Sequence, residues 1–336
     1  MKPIRIGVVG LGVMGQQHVR VLRELSQFEL VAVADPRMAE IGQLMNGIGQ
    51  LVCRTDPGDL LNDSLDAVVI ASPTTWHVEQ AELFLRHGVH VLVEKPIAVD
   101  VTSATQMATT ASANGASLLV GHVERFNPAI DTLRALLANG DLGRILSISA
   151  RRVGVARPAL PSTNVISDLG IHDVDVIQML TGERPAVLGA SGGALPGNLL
   201  EDFAFLMLSY GEVAAAVEAN WITPLKSRRL SVTGSGGFVD LDYVRQEVTV
   251  YEGRAKPVEG TKENFNAIWQ TAEPRPLFVE QGEPLKRELA HFAGCIRGEC
   301  VSGVPTHEAI AALAACQDAT DRIRSAASEL AVVRNG

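Results

Sequence analysis

Residues 4–15 read IRIGVVGLGVMG. An apolar, β-branched run stops at a glycine, and Gly10, Gly12 and Gly15 follow the spacing G-x-G-x-x-G. The run predicts a buried strand and the stretch after it a helix, with the glycines on the turn between. Glycines there let the backbone turn tightly and approach a pyrophosphate, whose charge the helix N-terminus favours. Val13 and Met14 stand at the opening of that helix. The pattern alone also suits an ordinary strand–turn–helix corner. Asp35 adds to it: it ends the next apolar run, LVAVAD, twenty residues after Gly15, where a carboxylate would bind the adenosine ribose hydroxyls. Together the two features predict a dinucleotide site.

Further apolar runs follow at 65–72 (LDAVVIAS), 90–96 (HVLVEKP) and 117–123 (SLLVGHV), with helix-like stretches between them. Continuous β-branched runs suit strands covered on both faces, and the βαβ rhythm predicts a doubly wound parallel sheet. The rhythm ends near residue 125. A helix over about 127–139 leads into RILSISARRV (144–153), which alternates like a strand, and a second helix is expected over 166–181. DFAFLMLSY, VAAAVEANWI, RRLSVTGSGGFVDLDY and EVTVYEG then alternate between turn residues, predicting a mostly antiparallel sheet with one open face. Residues 253–283 read as a long polar loop, and 284–298 and 306–329 as helices. The expected division is a nucleotide-binding unit, 1–123, and an α+β unit, 124–336, whose last helices pack back toward the first.

Bulk properties narrow the function. The 336 residues suffice for about two domains. A net charge of −9 argues against a nucleic-acid partner. No apolar run reaches the roughly 18–20 residues of a membrane span, and MKPIRIGVVGLG does not read as a signal peptide. A cytoplasmic protein is the expectation. Cys53, Cys295, Cys300 and Cys316 are too scattered for a disulfide framework, and no histidine stands at zinc-finger spacing from Cys295 and Cys300. They are expected as small buried side chains, with no metal site.

In an open α/β sheet, ligands bind outside the carboxyl ends of the strands. Two predicted strands end there in Ala71-Ser72-Pro73 and Glu94-Lys95-Pro96. Lys95 is therefore placed to touch a substrate hydroxyl or carbonyl, although most lysines merely extend into solvent. A second constellation is DLGIHDVD (168–175): Asp168 and His172 are four apart, so they share a helix face that Asp175 can join. A histidine there can take the proton that a hydroxyl loses on oxidation. The competing reading is an Asp168 that caps the helix beside a satisfied histidine.

The ordered set of GLGVMG, Asp35, Ser72-Pro73 with His77, Glu94-Lys95-Pro96 and DLGIH resembles the Gfo/Idh/MocA oxidoreductases over essentially the whole chain, including PLKRELAHFAGCIRGE at 284–299. The resemblance implies that Lys95 and His172 are the catalytic pair, that Asp168 helps to bind substrate, that Glu94 positions the lysine, and that the Lys95–Pro96 bond is cis. It also implies a homodimer or homotetramer.

Asp35 bears on the cofactor. A 2′-phosphate about 5 Å from its carboxylate meets repulsion of roughly 3 kcal/mol per charge pair at an effective dielectric near 20, favouring NAD over NADP, and Arg37 works against that bias. For substrate, GHVERFNPAI (121–130) resembles the segment of family members that oxidise UDP-N-acetylglucosamine at C3. Arg125 and Asn127 fall at the junction of the two units. Arg151, Arg152, Arg157, Lys226, Arg228 and Arg229 offer charge for a diphosphate, with Arg152 the choice over its neighbour because only one of that strand pair can face the cleft. Asp175 completes the expected substrate set. The reading is an NAD(P)-dependent dehydrogenase of a nucleotide sugar; the alternatives are a dehydrogenase of a free polyol, inositol or aldose, an oxidoreductase holding its nicotinamide tightly, and a non-catalytic dinucleotide sensor.

Overall fold

The computed structural model describes residues 2–41, 51–155, 163–253 and 273–335. The N-terminal apolar runs form β1 (Ile4–Val9), β2 (Phe28–Ala34), β4 (Ala67–Ile70), β5 (His90–Glu94) and β6 (Leu118–Gly121), with a short β3 (Val52–Arg54) before β4. They make one parallel sheet ordered β3-β2-β1-β4-β5-β6. Every residue of β4 and β6 is buried, as expected of strands covered on both faces. The helical pieces α1 (Val13–Glu24), α2 (Met38–Ile41), α3 (His77–Leu85) and α4 (Val101–Ala113) lie between the strands in sequence. Strand order reverses between β1 and β4, which opens a crevice over their carboxyl ends.

α5 (Pro128–Ala138) leads into the second sheet. Its strands are β7 (Ile145–Val155), β8 (Pro185–Gly193), β9 (Phe203–Tyr210), β10 (Val213–Asn220), β11 (Ile222–Gly234), β12 (Gly237–Asp242), β13 (Glu247–Glu252) and β14 (Pro274–Leu277), ordered β14-β13-β12-β11-β7-β10-β9-β8. All neighbours are antiparallel except β7 and β10. Alternation sorts the faces: Ala204, Leu206, Leu208 and Tyr210 of β9 are buried, while Phe205 and Met207 are 53% and 63% exposed on the other face. The helix expected over 166–181 begins with a π-helical turn, Ile166–Gly170, and continues as α6 (Ile171–Thr181). Of the long loop expected over 253–283, residues 254–272 lie outside the described residues, and 274–277 form edge strand β14.

Two helices close the chain, α7 (Pro284–Ile296) and α8 (Thr306–Asn335). Leu285, Leu289 and Phe292 of α7 and Leu313 of α8 join the core of the parallel sheet. Further along α8, Cys316, Ala319 and Ile323 join the core of the antiparallel sheet. α8 thus runs from one core to the other. Among the described residues no helix is long and apolar enough to cross a membrane.

Candidate active site

The glycine loop is shaped by close contacts. Gly10 has φ +83°, and a Cβ there would lie 2.6 Å from the Ser72 amide nitrogen; one on Gly15 would lie 1.8 Å from the Gly10 carbonyl oxygen. At Gly12 a Cβ would meet nothing within 4 Å, so this edge is open. Gly12 is also the N-cap of α1 and makes no side-chain cap, which leaves amides of the first turn for an anion. Asp35 is buried; it accepts the Leu11 amide at 2.8 Å, the Arg37 amide at 2.9 Å, and Arg37 Nε and Nη2 at 3.1 Å each. Burial raises its pKa, but the Arg37 and Leu11 hydrogen bonds outweigh that and hold the carboxyl below its ordinary value. A cleft of about 1390 Å³ runs past Gly10, Gly12, Asp35, Arg37, Ser72 and Pro73. Open glycine, free helix amides and buried carboxylate together fit a dinucleotide. Val13 and Met14 are exposed at the start of α1.

The ends of β4 and β5 are tied together. His77 is buried with Nε2 2.9 Å from the Ser72 carbonyl and Nδ1 3.0 Å from that of Pro96. Both ring nitrogens are taken, so His77 joins the two strand ends. Glu94 turns inward, with Oε1 2.8 Å from His18 Nε2 and Oε2 accepting the Lys95 amide at 3.3 Å. Burial raises its pKa, yet His18 and Lys95 hold it below the ordinary value. The Lys95–Pro96 peptide is cis. Lys95 Nζ reaches across to the π-helical turn, donating to the Asp168 carbonyl at 2.7 Å and to Asp168 Oδ1 at 2.8 Å. Asp168 does not cap the helix; Asn164 Oδ1 accepts the Ser167 amide instead, at 2.9 Å.

His172 follows one turn later and is partly exposed. Burial, then the positive charges of Lys95 and Arg152, push its pKa well below the usual 6.5, so the ring is neutral at physiological pH. Burial raises the Asp168 carboxyl, but the Lys95 charge and hydrogen bond, and a bond from Trp221, bring it below its ordinary value. Lys95 and Asp168 therefore meet at the carboxyl end of β5, with the neutral imidazole of His172 one turn on. That set can bind, polarise and deprotonate a hydroxyl.

The residues expected to bind substrate from the α+β unit sit differently. Arg125 is buried and forks onto Asp175 at 2.6 and 2.7 Å, with Glu308 Oε2 at 2.7 Å and the Gly303 carbonyl at 3.1 Å. Arg152, 1% exposed, binds Asp173 at 2.9 and 3.0 Å and Glu124 at 2.8 Å. Asn127 caps α5 through the Ala129 amide and donates to Glu124 and the Tyr243 carbonyl. A buried guanidinium needs paired carboxylates, and these groups satisfy one another. Arg125, Asn127, Arg152 and Asp175 thus form a buried, internally paired polar network. α6 turns Asp175 inward to Arg125 rather than out beside Asp168.

Arg228 differs. Its side chain is 36% exposed, its nearest carboxylate oxygen, on Glu124, is 3.9 Å away, and it lines a hollow of about 340 Å³ with Met14 and Tyr243. Arg151 pairs with Glu218 and Arg229 with Asp240, both on exposed surface. Lys226 is exposed, Trp221 is buried, and Arg157 lies outside the described residues.

Several groups around the site are not evident from the motifs. Asp173 and Glu124 hold Arg152, and His18 holds Glu94. Glu288 is buried with no hydrogen-bond partner for its carboxylate among the described residues; burial and nearby Glu94 push its pKa well above the ordinary value. The signal for both was patterning: His18 lies on the buried stripe of α1 with Gly15, Val19 and Leu22, and Glu288 on that of α7 with Leu285, Leu289 and Phe292. The cysteines also depart from expectation. Cys53 and Cys300 are exposed, Cys295 is half-buried, and Cys316 alone is buried.

Comparison with known proteins agrees with this fold. Residues 4–122 match the model of the oxidoreductase family with an NAD-binding Rossmann fold, GFO_IDH_MocA, and residues 130–240 match the GFO/IDH/MocA C-terminal domain. The chain is 30% identical over 259 residues to a UDP-N-acetylglucosamine 3-dehydrogenase of Acidithiobacillus ferrooxidans, covering 76% of this chain and 80% of that one. It is 29% identical over 325 residues to inositol 2-dehydrogenase 4 of Saccharopolyspora erythraea, covering 94% and 92%. A solved structure of the Acidithiobacillus ferrooxidans UDP-N-acetylglucosamine 3-dehydrogenase superposes with a TM-score of 0.83 at 24% identity, covering 97% and 99%. An Agrobacterium radiobacter oxidoreductase solved with NAD⁺, L-tartaric acid and magnesium superposes with a TM-score of 0.80 at 18% identity, covering 96% of this chain and 97% of that one. With a nucleotide cleft, a lysine at the end of β5 and both family models matched in order, this chain belongs to the GFO/IDH/MocA family of NAD-binding oxidoreductases.

Proposed function

We propose that the protein oxidises the C3 hydroxyl of a nucleotide sugar of the UDP-N-acetylglucosamine type, with NAD⁺ as its preferred cofactor. The observation that carries the reaction is Lys95 Nζ held at the carboxyl end of β5 by both oxygens it touches on Asp168, 2.7 and 2.8 Å away, with neutral His172 one turn on. NAD⁺, when bound, supplies the hydride acceptor. Lys95 hydrogen-bonds the reacting oxygen and favours its developing negative charge. His172 takes the hydroxyl proton. Asp168 fixes the direction of Lys95 and accepts from a neighbouring sugar hydroxyl. Asp35 binds the adenosine ribose, displacing part of the Arg37 fork.

The nucleotide half of the substrate rests on Arg228, the arginine that lines the smaller hollow with only a distant carboxylate, and on the relative from Acidithiobacillus ferrooxidans. A free polyol is the second reading. It is favoured by the internal pairing of Arg125 and Arg152, which removes two cations from any diphosphate site, and by the inositol dehydrogenase relative. The open face carrying Phe205 and Met207 suits pairing with a second copy, as a dimer or a tetramer.

The experiment is absorbance of reduced nicotinamide after mixing protein and NAD⁺ with UDP-N-acetylglucosamine, inositol or glucose, with an amine present to trap the keto product. Signal with the nucleotide sugar alone supports the proposal. Signal with inositol alone moves the function to the polyol reading. Silence in every mixture despite NAD⁺ binding overturns both.

A further inference from the structure

Away from the crevice, three soft donors converge where α7 ends. His291 and Cys295 are one helical turn apart and share a face. The helix stops after Ile296, and Gly298, at φ +69°, turns the chain back. The turn is closed by the Gly298 amide on the Cys295 carbonyl at 3.1 Å and the Glu299 amide on the Gly294 carbonyl at 2.9 Å. Cys300 is thereby folded against the last turn of α7. A Cβ on Gly294 would lie 2.9 Å from Cys300 Sγ, so the glycine is what admits the thiol.

The donors lie close to the spacing of a small tetrahedron, with the two thiols facing different nitrogens of the ring. Cys295 Sγ is 3.8 Å from Cys300 Sγ and 3.4 Å from His291 Nε2, and Cys300 Sγ is 3.6 Å from His291 Nδ1. One atom from each residue can be chosen so that all three lie within 4.8 Å of one another. A tetrahedral zinc ion, with Zn–S near 2.3 Å and Zn–N near 2.0–2.1 Å, sets S–S edges of about 3.8 Å and S–N edges of about 3.6 Å. We infer that His291, Cys295 and Cys300 form a binding site for a thiophilic, tetrahedral divalent cation of the zinc type.

With three protein donors among the described residues, the fourth position is left to solvent, and the exposure of Cys300 gives the ion its way in. The imidazole is already oriented, because the Gly303 amide donates to Nε2 at 2.8 Å. An ion taken by Nε2 replaces that amide. The change is connected to the buried Arg125–Asp175 pair, since the Gly303 carbonyl accepts from Arg125 Nη1 at 3.1 Å.

The test uses the full chain, stripped with a chelator and kept reduced by a phosphine, titrated with Co²⁺ as a spectroscopic probe. The expected result is one equivalent bound, with a thiolate-to-cobalt charge-transfer band and the intense visible bands of a tetrahedral ion, bleached by one equivalent of Zn²⁺. Cys300→Ser, at an exposed position, should keep the fold and weaken the charge-transfer band, and Cys295→Ser/Cys300→Ser should abolish it. Cys53→Ser should change nothing. Absence of the band in the reduced wild type overturns the site, as does a band that survives in the double variant.

Discussion

Lys95 and Asp168, 73 residues apart in sequence, are joined by two hydrogen bonds from one ammonium. One acceptor is the Asp168 backbone carbonyl and the other its carboxylate, so removing the carboxylate alone leaves the lysine aimed. Lys95→Ala removes the group itself. We expect its turnover to fall by roughly 10²- to 10⁴-fold, while NAD⁺ binding, followed by quenching of protein fluorescence, stays near the wild-type value. Turnover close to normal in this variant would remove Lys95 from the chemistry.

If His172 is the base, as proposed, it should set the acid limb of activity. It must be neutral to accept a proton, and burial with Lys95 lowers its pKa well below 6.5. A lowered pKa keeps the ring neutral to lower pH. The profile of kcat/KM should therefore stay level as pH drops through 6.5 and fall only below it. In Lys95→Met the residual activity should show that limb at higher pH, because a repelling cation is gone. A wild-type limb at or above 6.5 would exclude His172 as the base.

The proposed preference for NAD⁺ rests on one carboxylate. Asp35→Ser removes a repulsion worth roughly 3 kcal/mol at about 5 Å and an effective dielectric near 20. It also frees Arg37, which now binds Asp35 through its amide, Nε and Nη2. The ratio of kcat/KM for NADP⁺ over NAD⁺ should rise by about 10²-fold, and adding Arg37→Ala should undo part of the gain. An unchanged ratio would show that the ribose binds elsewhere.

Arg152 and Arg228 should separate stability from substrate binding. Arg152→Met leaves Asp173 and Glu124 buried without their cation, and breaking a buried pair in this way costs about 3–5 kcal/mol. Thermal unfolding should show a clear loss. Arg228→Ala breaks only a long contact to Glu124 and should cost no more than about 1 kcal/mol. Its effect should be a raised KM for UDP-N-acetylglucosamine. An unaltered KM would argue for the polyol reading.

How much of this was legible in the sequence follows from what each signal depends on. The parallel sheet was, because continuous Val/Ile runs between helical stretches have few other solutions, and β1, β2, β4, β5 and β6 lie within those runs or overlap them. β3, at three residues, is too short for any period to register. The mostly antiparallel sheet was legible in its alternation, but its single parallel pairing, β7 with β10, depends on long-range order that no local pattern carries. Lys95, Asp168 and His172 were placed by motif and spacing. The arginines were not, since burial is a property of what packs around them: nothing near Arg125 in sequence announces Asp175 or Glu308. The cysteine cluster escaped for a related reason. Its spacing, H-x₃-C-x₄-C, is set by a helix end and a left-handed glycine rather than by a finger's two-residue loop.

The return of the C-terminal helices to the parallel sheet has a consequence for biosynthesis. Leu285, Leu289, Phe292 and Leu313 complete a core whose other members are mostly made before residue 121. As the chain leaves the ribosome, that core waits with an uncovered apolar face while the whole antiparallel sheet is translated. Contacts of such long sequence separation form late and slowly. The nucleotide-binding half is therefore the first to be synthesised and among the last to be finished, and its nascent form is a natural client for a chaperone.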